Sequence, residues 1–144
     1  IELDKHLIRE FQLHDSSDTL RFILIPSFGL IPIADSRAFV QVLVEDSLSL
    51  LVFRRKRVST QMGPVVDPQG GVRQALRLLD DPVYLLRFPD GSMRSLRRDK
   101  RWLLQATRSY FPEVSTWLRG VPTRLRTETE LIQAVEIINQ NAEL

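Results

Sequence analysis

The stretch Val83-Tyr84-Leu85-Leu86-Arg87-Phe88-Pro89-Asp90-Gly91-Ser92-Met93-Arg94-Ser95-Leu96, followed by Asp99 to Tyr110 (DKRWLLQATRSY), decides the fold. Two apolar-rich runs, Val83 to Phe88 and Ser92 to Leu96, flank Pro89-Asp90-Gly91. Proline presets φ at the first turn position, and glycine takes the left-handed bulge position that closes such a turn, so the pair reads as a hairpin. Directly afterwards the apolar period lengthens from two to 3.6. Trp102, Leu103, Ala106 and Tyr110 then form one stripe of a helix over Asp99 to Tyr110. Strands before this switch and helices after it predict an α+β fold: antiparallel β-hairpins in the first two thirds, then two or three C-terminal helices.

Upstream, Leu7 to Leu13 and Thr19 to Ile25 are apolar-rich runs separated by His14-Asp15-Ser16-Ser17-Asp18, whose side chains favour turns. Residues 26–36, with Pro26, Gly29 and Pro32, are a poor place for regular structure. A second hairpin joins Phe39 to Val44 and Leu48 to Phe53 through Glu45-Asp46-Ser47. Val40, Val42 and Val44 fall on one face, and Phe39, Gln41 and Leu43 on the other. With both faces largely apolar, that strand is expected to be central or covered by a helix. Residues 58–71 hold Gly63, Pro64, Pro68, Gly70 and Gly71 with little periodicity and read as a long loop. Val72 to Leu79 fits either a short helix or a strand.

Downstream, Pro112 is suited to start a second, short helix whose buried face is Val114, Trp117 and Leu118, and Gly120 with Pro122 stops it. The last helix starts at Thr127, with Glu130 three residues on as a capping box and Leu131, Val135 and Ile138 on its inner face. No internal repeat or linker divides residues 1–144, which read as one domain.

The 144 residues and 16.7 kDa, with 43% hydrophobic residues, suffice for a core without staples. With no cysteine, disulfide frameworks, thiol catalysis and cysteine-zinc sites are excluded. No apolar run is long enough to span a membrane. The chain opens on Ile1 and no leader pattern precedes it, so a mature or excised form of a longer precursor is expected. The net charge of +2 conceals a gradient. Residues 1–49 carry 4 Lys/Arg against 8 Asp/Glu, residues 50–126 carry 16 against 6, and residues 127–144 carry none against 4.

Catalytic patterns are sparse. His6 and His14 are the two histidines, and they have no metal-ligand spacing. His14, Asp15 and Ser16 include the residue types of a hydrolytic triad, but sequence neighbours on one turn cannot adopt its geometry among themselves. Asp80-Asp81 before Pro82 reads as an element boundary, and Glu128 and Glu130 suit a helix N-terminus. Gly70-Gly71 has neither the lysine nor the spacing of a phosphate loop. No catalytic residue and no cofactor are expected.

Positive charge stands above this background. Arg54, Arg55, Lys56 and Arg57 end the second hairpin, and Arg94, Arg97, Arg98, Lys100 and Arg101 run from the third hairpin into its helix. Of the 20 cationic residues 17 are arginine, whose planar fork suits bidentate contact with phosphate or carboxylate. If the two clusters converge, they form a surface for a polyanion: nucleic acid, lipid headgroups or glycan. The bland alternative is a set of solvated strand ends balanced by the acidic flanks. Were about six phosphates neutralised, log affinity would fall against log salt with a slope of roughly −5. Trp102, Tyr110, Phe111 and Trp117 lie at helical spacing beside leucines, which favours the core over base stacking.

The order Val83-Tyr84-Leu85-Leu86, Pro89-Asp90-Gly91, a basic stretch, Trp102-Leu103-Leu104, Phe111-Pro112, Trp117-Leu118, Glu130-Leu131 and Val135-Glu136-Ile137-Ile138-Asn139 resembles the C-terminal region of uncharacterised exported proteins of Bacteroidetes and related bacteria. Ala38 to Glu45 followed by Leu48 to Leu51 is similar to the hairpin of that group. Arginine stands here where the group often has lysine, Ile137-Ile138 replaces its aromatic pair, and its turn glycine near Asp46 or Ser47 is absent. The resemblance implies a periplasmic or cell-envelope location and transfers no activity. The sequence therefore leads to the expectation of a non-enzymatic envelope protein acting through protein contacts, for instance as an accessory subunit. The alternative is a polyanion-binding module using the arginine clusters.

Overall fold

The computed structural model describes residues 9–14, 17–27, 29–31, 36–66 and 72–143. Residues 1–8, including His6, lie outside it, as do Asp15, Ser16 and residues 67–71. The expected α+β architecture is present as an antiparallel sheet of six strands followed by helices.

The strands are β1 (Glu10–His14), β2 (Thr19–Pro26), β3 (Arg37–Val44), β4 (Ser49–Phe53), β5 (Lys56–Val66), β6 (Val72–Asp80), β7 (Val83–Arg87) and β8 (Met93–Ser95). Six of them form a sheet in the order β1-β2-β3-β4-β7-β8, and β5 and β6 pair apart from it as a two-stranded ribbon. The chain thus leaves the sheet after β4, makes the ribbon, and returns to the adjacent position. Arg55 and Asp81 close the base of the excursion, the Asp81 amide donating to the Arg55 carbonyl at 2.9 Å.

The ribbon corrects the loop expected at 58–71 and settles 72–79 as strand. Its register runs Lys56↔Asp80 to Ser59↔Arg77, shifts, and resumes as Gly63↔Ala75 to Val66↔Val72. Glycine and proline weaken strands inside a sheet, but each strand here has an unpaired outer edge, and β5 carries the irregularity between Ser59 and Gly63, which tolerate both. Gly63 and Pro64 within β5 interrupt the β-forming pattern, and the sequence signal is correspondingly faint.

A bulge also reassigns one valine. The β3–β4 register passes from Val42↔Leu51 to Val44↔Leu50. Val40 and Val42 therefore pack with Ile25, Ile31, Ala38, Leu51 and Leu85 on one face, whereas Val44 joins the helices on the other. Strand β3 lies between β2 and β4, in agreement with its two apolar faces. The Pro89-Asp90-Gly91 turn closes as expected, with Gly91 at φ +87° and the Phe88 amide donating to the Ser92 carbonyl at 2.8 Å. At the far edge Phe11 stacks on Phe22, ring centroids 4.7 Å apart, and meets Phe39 edge-on.

Helices α1 (Lys100–Thr107), α2 (Val114–Trp117) and α3 (Glu128–Ala142) cover the face carrying Leu48, Leu50, Val52, Tyr84 and Leu86. Leu103, Val114, Leu118, Leu131, Val135 and Ile138 are buried there, as the stripes predict. Asp99 caps α1, its carboxylate accepting from the Arg101 amide at 2.8 Å. Pro112 lies before α2, not at its first position, and Glu113 takes the cap. Thr127 caps α3 by accepting from the Glu130 amide at 3.1 Å, while the Glu130 carboxylate takes the Arg126 amide in place of that of Thr127. Asn139, buried on the inner stripe of α3, accepts from the Leu48 amide at 2.9 Å and donates to the Leu48 carbonyl at 2.8 Å. This bidentate amide contact pins the helix to the start of β4. No described helix is long and apolar enough to cross a membrane.

Candidate anion-binding surface

The two basic clusters meet at one cavity and diverge from it. A cavity of about 500 Å³ is lined by Arg54, Arg55, Asp80, Pro82, Tyr84, Arg98 and Glu128, where the ends of β4 and β6 face the start of α3. Most of its charge is already engaged. Arg54 grips both oxygens of Glu128 at 3.1 Å and donates through Nε to Gln41 at 2.8 Å. The Arg55 guanidinium meets the Asp81 carboxylate at 2.8 Å and its carbonyl at 3.0 Å. The Tyr84 hydroxyl donates to Glu128 at 3.1 Å, and the Arg98 guanidinium lies 4.8 Å from the centre of the Tyr84 ring. Burial pushes the Tyr84 phenol above its ordinary range, and the neighbouring Glu128 carboxylate adds to that against a smaller pull from Arg98 and Arg54. A phenol that stays protonated and a carboxylate whose oxygens are already engaged make this wall a clasp between β4, β7 and α3.

Lys56 and Arg57 move away from the cavity onto the ribbon, where Lys56 stands 3.8 Å from Asp80. Arg94 lies in β8, its guanidinium 5.3 Å from the centre of the Trp102 ring. Lys100 turns inward, its ammonium donating to the carbonyls of Val121 at 3.0 Å and Arg119 at 3.4 Å. Those carbonyls follow α2 and would otherwise lack partners. Of the nine cations singled out in the sequence, Arg54, Arg55 and Arg98 share the cavity, and Arg97 and Arg101 are exposed with no ion pair among the described residues.

Arg97 and Arg101 gain neighbours that sequence reading did not assign. The Lys100 amide donates to the Thr123 carbonyl at 2.9 Å, the Leu125 amide donates to the Arg98 carbonyl at 3.2 Å, and Asp99 and Arg124 form an antiparallel bridge between them. Side chains alternate across such a pairing. Leu125 is fully buried in the helical core, so Arg124 and Arg126, both exposed, fall on the outer side, where Asp99 stands opposite Arg124; Arg97, also exposed, precedes the tight turn in which the Asp99 amide donates to the Arg97 carbonyl at 2.8 Å. Arg119, also exposed, closes the turn that Lys100 caps. Arg97, Arg101, Arg119, Arg124 and Arg126 are thus exposed on two segments joined by backbone hydrogen bonds, here called the arginine ridge, and none has an ion pair among the described residues. The available signal was the alternation Arg124-Leu125-Arg126, a strand-like pattern with a single inward position.

Other candidates stay apart. His14 is exposed, its Nδ1 3.1 Å from the Thr19 hydroxyl. Among the described residues no three His, Asp or Glu side chains gather as a metal site would require. Tyr110 stacks on Phe88, and Phe111 packs tilted against Trp117, so these aromatics serve the core. No model of a known protein family, no curated protein and no solved structure matches this chain.

Proposed function

We propose that this chain is a non-enzymatic binding module that holds a polyanion on the ridge built from residues 97–101 and 119–126. The observation that carries the reading is the pairing of these two segments, which buries Leu125 and leaves Arg97, Arg124 and Arg126 exposed with no ion pair among the described residues. Uncompensated arginines gathered on one surface attract polyanions and hold them in a salt-dependent way. The test is a titration of the protein with fluorescent heparin and with a fluorescent oligonucleotide across a salt series. Affinity for at least one should fall steeply with salt, and failure of both to bind at low salt would remove the reading.

A second reading, contact with a protein partner in the cell envelope, is favoured by the β5–β6 ribbon. Val58 and Leu78 lie opposite one another there, 51% and 68% exposed. The resemblance to exported proteins supports a periplasmic or envelope location for such an accessory subunit. Fractionation of the native host, with size-exclusion of the extracted protein beside a Leu78→Lys variant, tests it. A strictly monomeric wild type recovered from the cytoplasm would sink this alternative.

A further inference from the structure

We infer that the polymer held by the arginine ridge is a phosphodiester, bound through its backbone phosphoryl oxygens; this rests on the polyanion reading above. The exposed cations of the ridge are all arginine: Arg97, Arg101, Arg119, Arg124 and Arg126. A guanidinium presents two parallel N–H donors that match the two non-bridging oxygens of a phosphodiester, each a strong acceptor sharing one negative charge. A sulfate ester spreads the same charge over three weaker acceptors.

The ridge concentrates positive charge. Asp99 stands opposite Arg124 across the bridge, and around it Arg97, Arg101, Arg119 and Arg126 are exposed with no ion pair among the described residues, so like charges repel there. Helix α1 begins beside them with Lys100-Arg101 and no acidic residue in its first turn, so the positive end of its dipole adds to the same field. The Asp99 carboxylate is occupied in capping that helix. An anion bridging the guanidinium groups relieves this repulsion.

The surface is also wrong for a lipid bilayer. Peripheral membrane surfaces combine cations with apolar side chains that sink below the headgroups. Among the described residues the large exposed apolar side chains are Leu13, Val58, Leu78 and Leu79, in β1 and the ribbon, and none belongs to the ridge. A water-soluble polymer fits better than a membrane surface.

The experiment measures binding of the full chain to a labelled thymidine oligonucleotide by fluorescence anisotropy. Unlabelled inorganic polyphosphate, heparin and polyglutamate then compete at equal charge, and vesicles of phosphatidylcholine with phosphatidylglycerol form a further arm. With four single-strand phosphates neutralised, the slope of log affinity against log salt should be about −3, falling to about −1.4 in Arg97→Gln/Arg126→Gln. Arg9→Gln, beside β1 at the opposite edge of the sheet, should leave the slope unchanged, with thermal unfolding confirming that each variant folds. Polyphosphate should compete at least about tenfold better than heparin or polyglutamate, equivalent to about 1.4 kcal/mol. Equal competition by heparin, retention on vesicles alone, or an unchanged slope in the double variant would overturn the inference. Heparin binding without oligonucleotide binding defeats this inference and leaves the polyanion reading standing; loss of all polymer binding defeats both.

Discussion

Two arginine-rich segments, each with four cationic residues, do opposite things in this molecule. In 54–57, Arg54 closes on Glu128 and Gln41, Arg55 on Asp81, and Lys56 stands near Asp80, so this cluster holds β4, the ribbon and α3 together. In 97–101, Lys100 and Arg98 turn to backbone carbonyls, while Arg97 and Arg101 remain outward and are joined by arginines from 119–126. A run of positive charge is therefore not a site in itself. What separates the two is whether the fold brings carboxylates to meet it, and that depends on residues far away in sequence.

The contrast can be broken most forcefully from beneath the ridge. Leu125→Ala removes a fully buried side chain from the pairing that orders the arginines, and should cost about 3 kcal/mol in denaturant unfolding together with most of the polyanion affinity. A loss of stability with binding intact would show that the ridge does not depend on that pairing.

Next in size is the clasp. Arg54→Ala leaves the Glu128 carboxylate and the buried Gln41 amide short of a partner. Because the Arg54 side chain is half exposed, a cost of about 1 kcal/mol is expected, with polyanion affinity unchanged. An equal fall in affinity would merge the two clusters into one site. Arg97→Gln/Arg126→Gln should move stability by less than about 0.5 kcal/mol, because both side chains are exposed and neither has an ion pair among the described residues. Clear destabilisation would reassign the pair to structure.

The smallest effect is electrostatic and local. The folded-state pKa of Tyr84 is raised, so its contribution to stability is fully present below the ordinary phenol range and is lost as pH rises through the raised value. Ultraviolet titration in a Tyr110→Phe background should show the remaining phenol ionising late, and Arg98→Gln, which removes a nearby cation, should delay it further. An early transition would mean that the clasp around Glu128 does not form in solution.

Much of the architecture was legible because local chemistry and burial agree there. The Pro89-Asp90-Gly91 turn, the change of period at Asp99, and the stripe Leu131, Val135 and Ile138 each state one requirement twice, through propensity and through a buried face. Residues 58–71 were read as a loop because Gly63, Pro64, Pro68, Gly70 and Gly71 mask the strand signal of β5. Val44 was assigned to the wrong face because a bulge is a backbone event that leaves the composition of the strand unchanged. At the site, the arginines of 54–57 and 94–101 were visible as runs, whereas Arg119, Arg124 and Arg126 are scattered and become neighbours only through backbone pairing. Asn139 offered a subtler sign, an amide on the buried stripe of an apolar helix. Its partners are the main-chain groups of Leu48, which no side-chain pattern announces.

The closed base of the β5–β6 ribbon has a consequence for folding. Strands β4 and β7 are neighbours in the sheet, and the Arg55–Asp81 backbone contact already brings the chain ends of the excursion together. Loop-closure entropy grows only with the logarithm of length, so replacing residues 56–80 by a short turn should speed formation of the β4–β7 pairing by a closure term of only roughly 1–2 kcal/mol. The excursion is in effect an insertion at a hairpin position, a segment whose length and sequence the sheet can tolerate changing without altering its own topology.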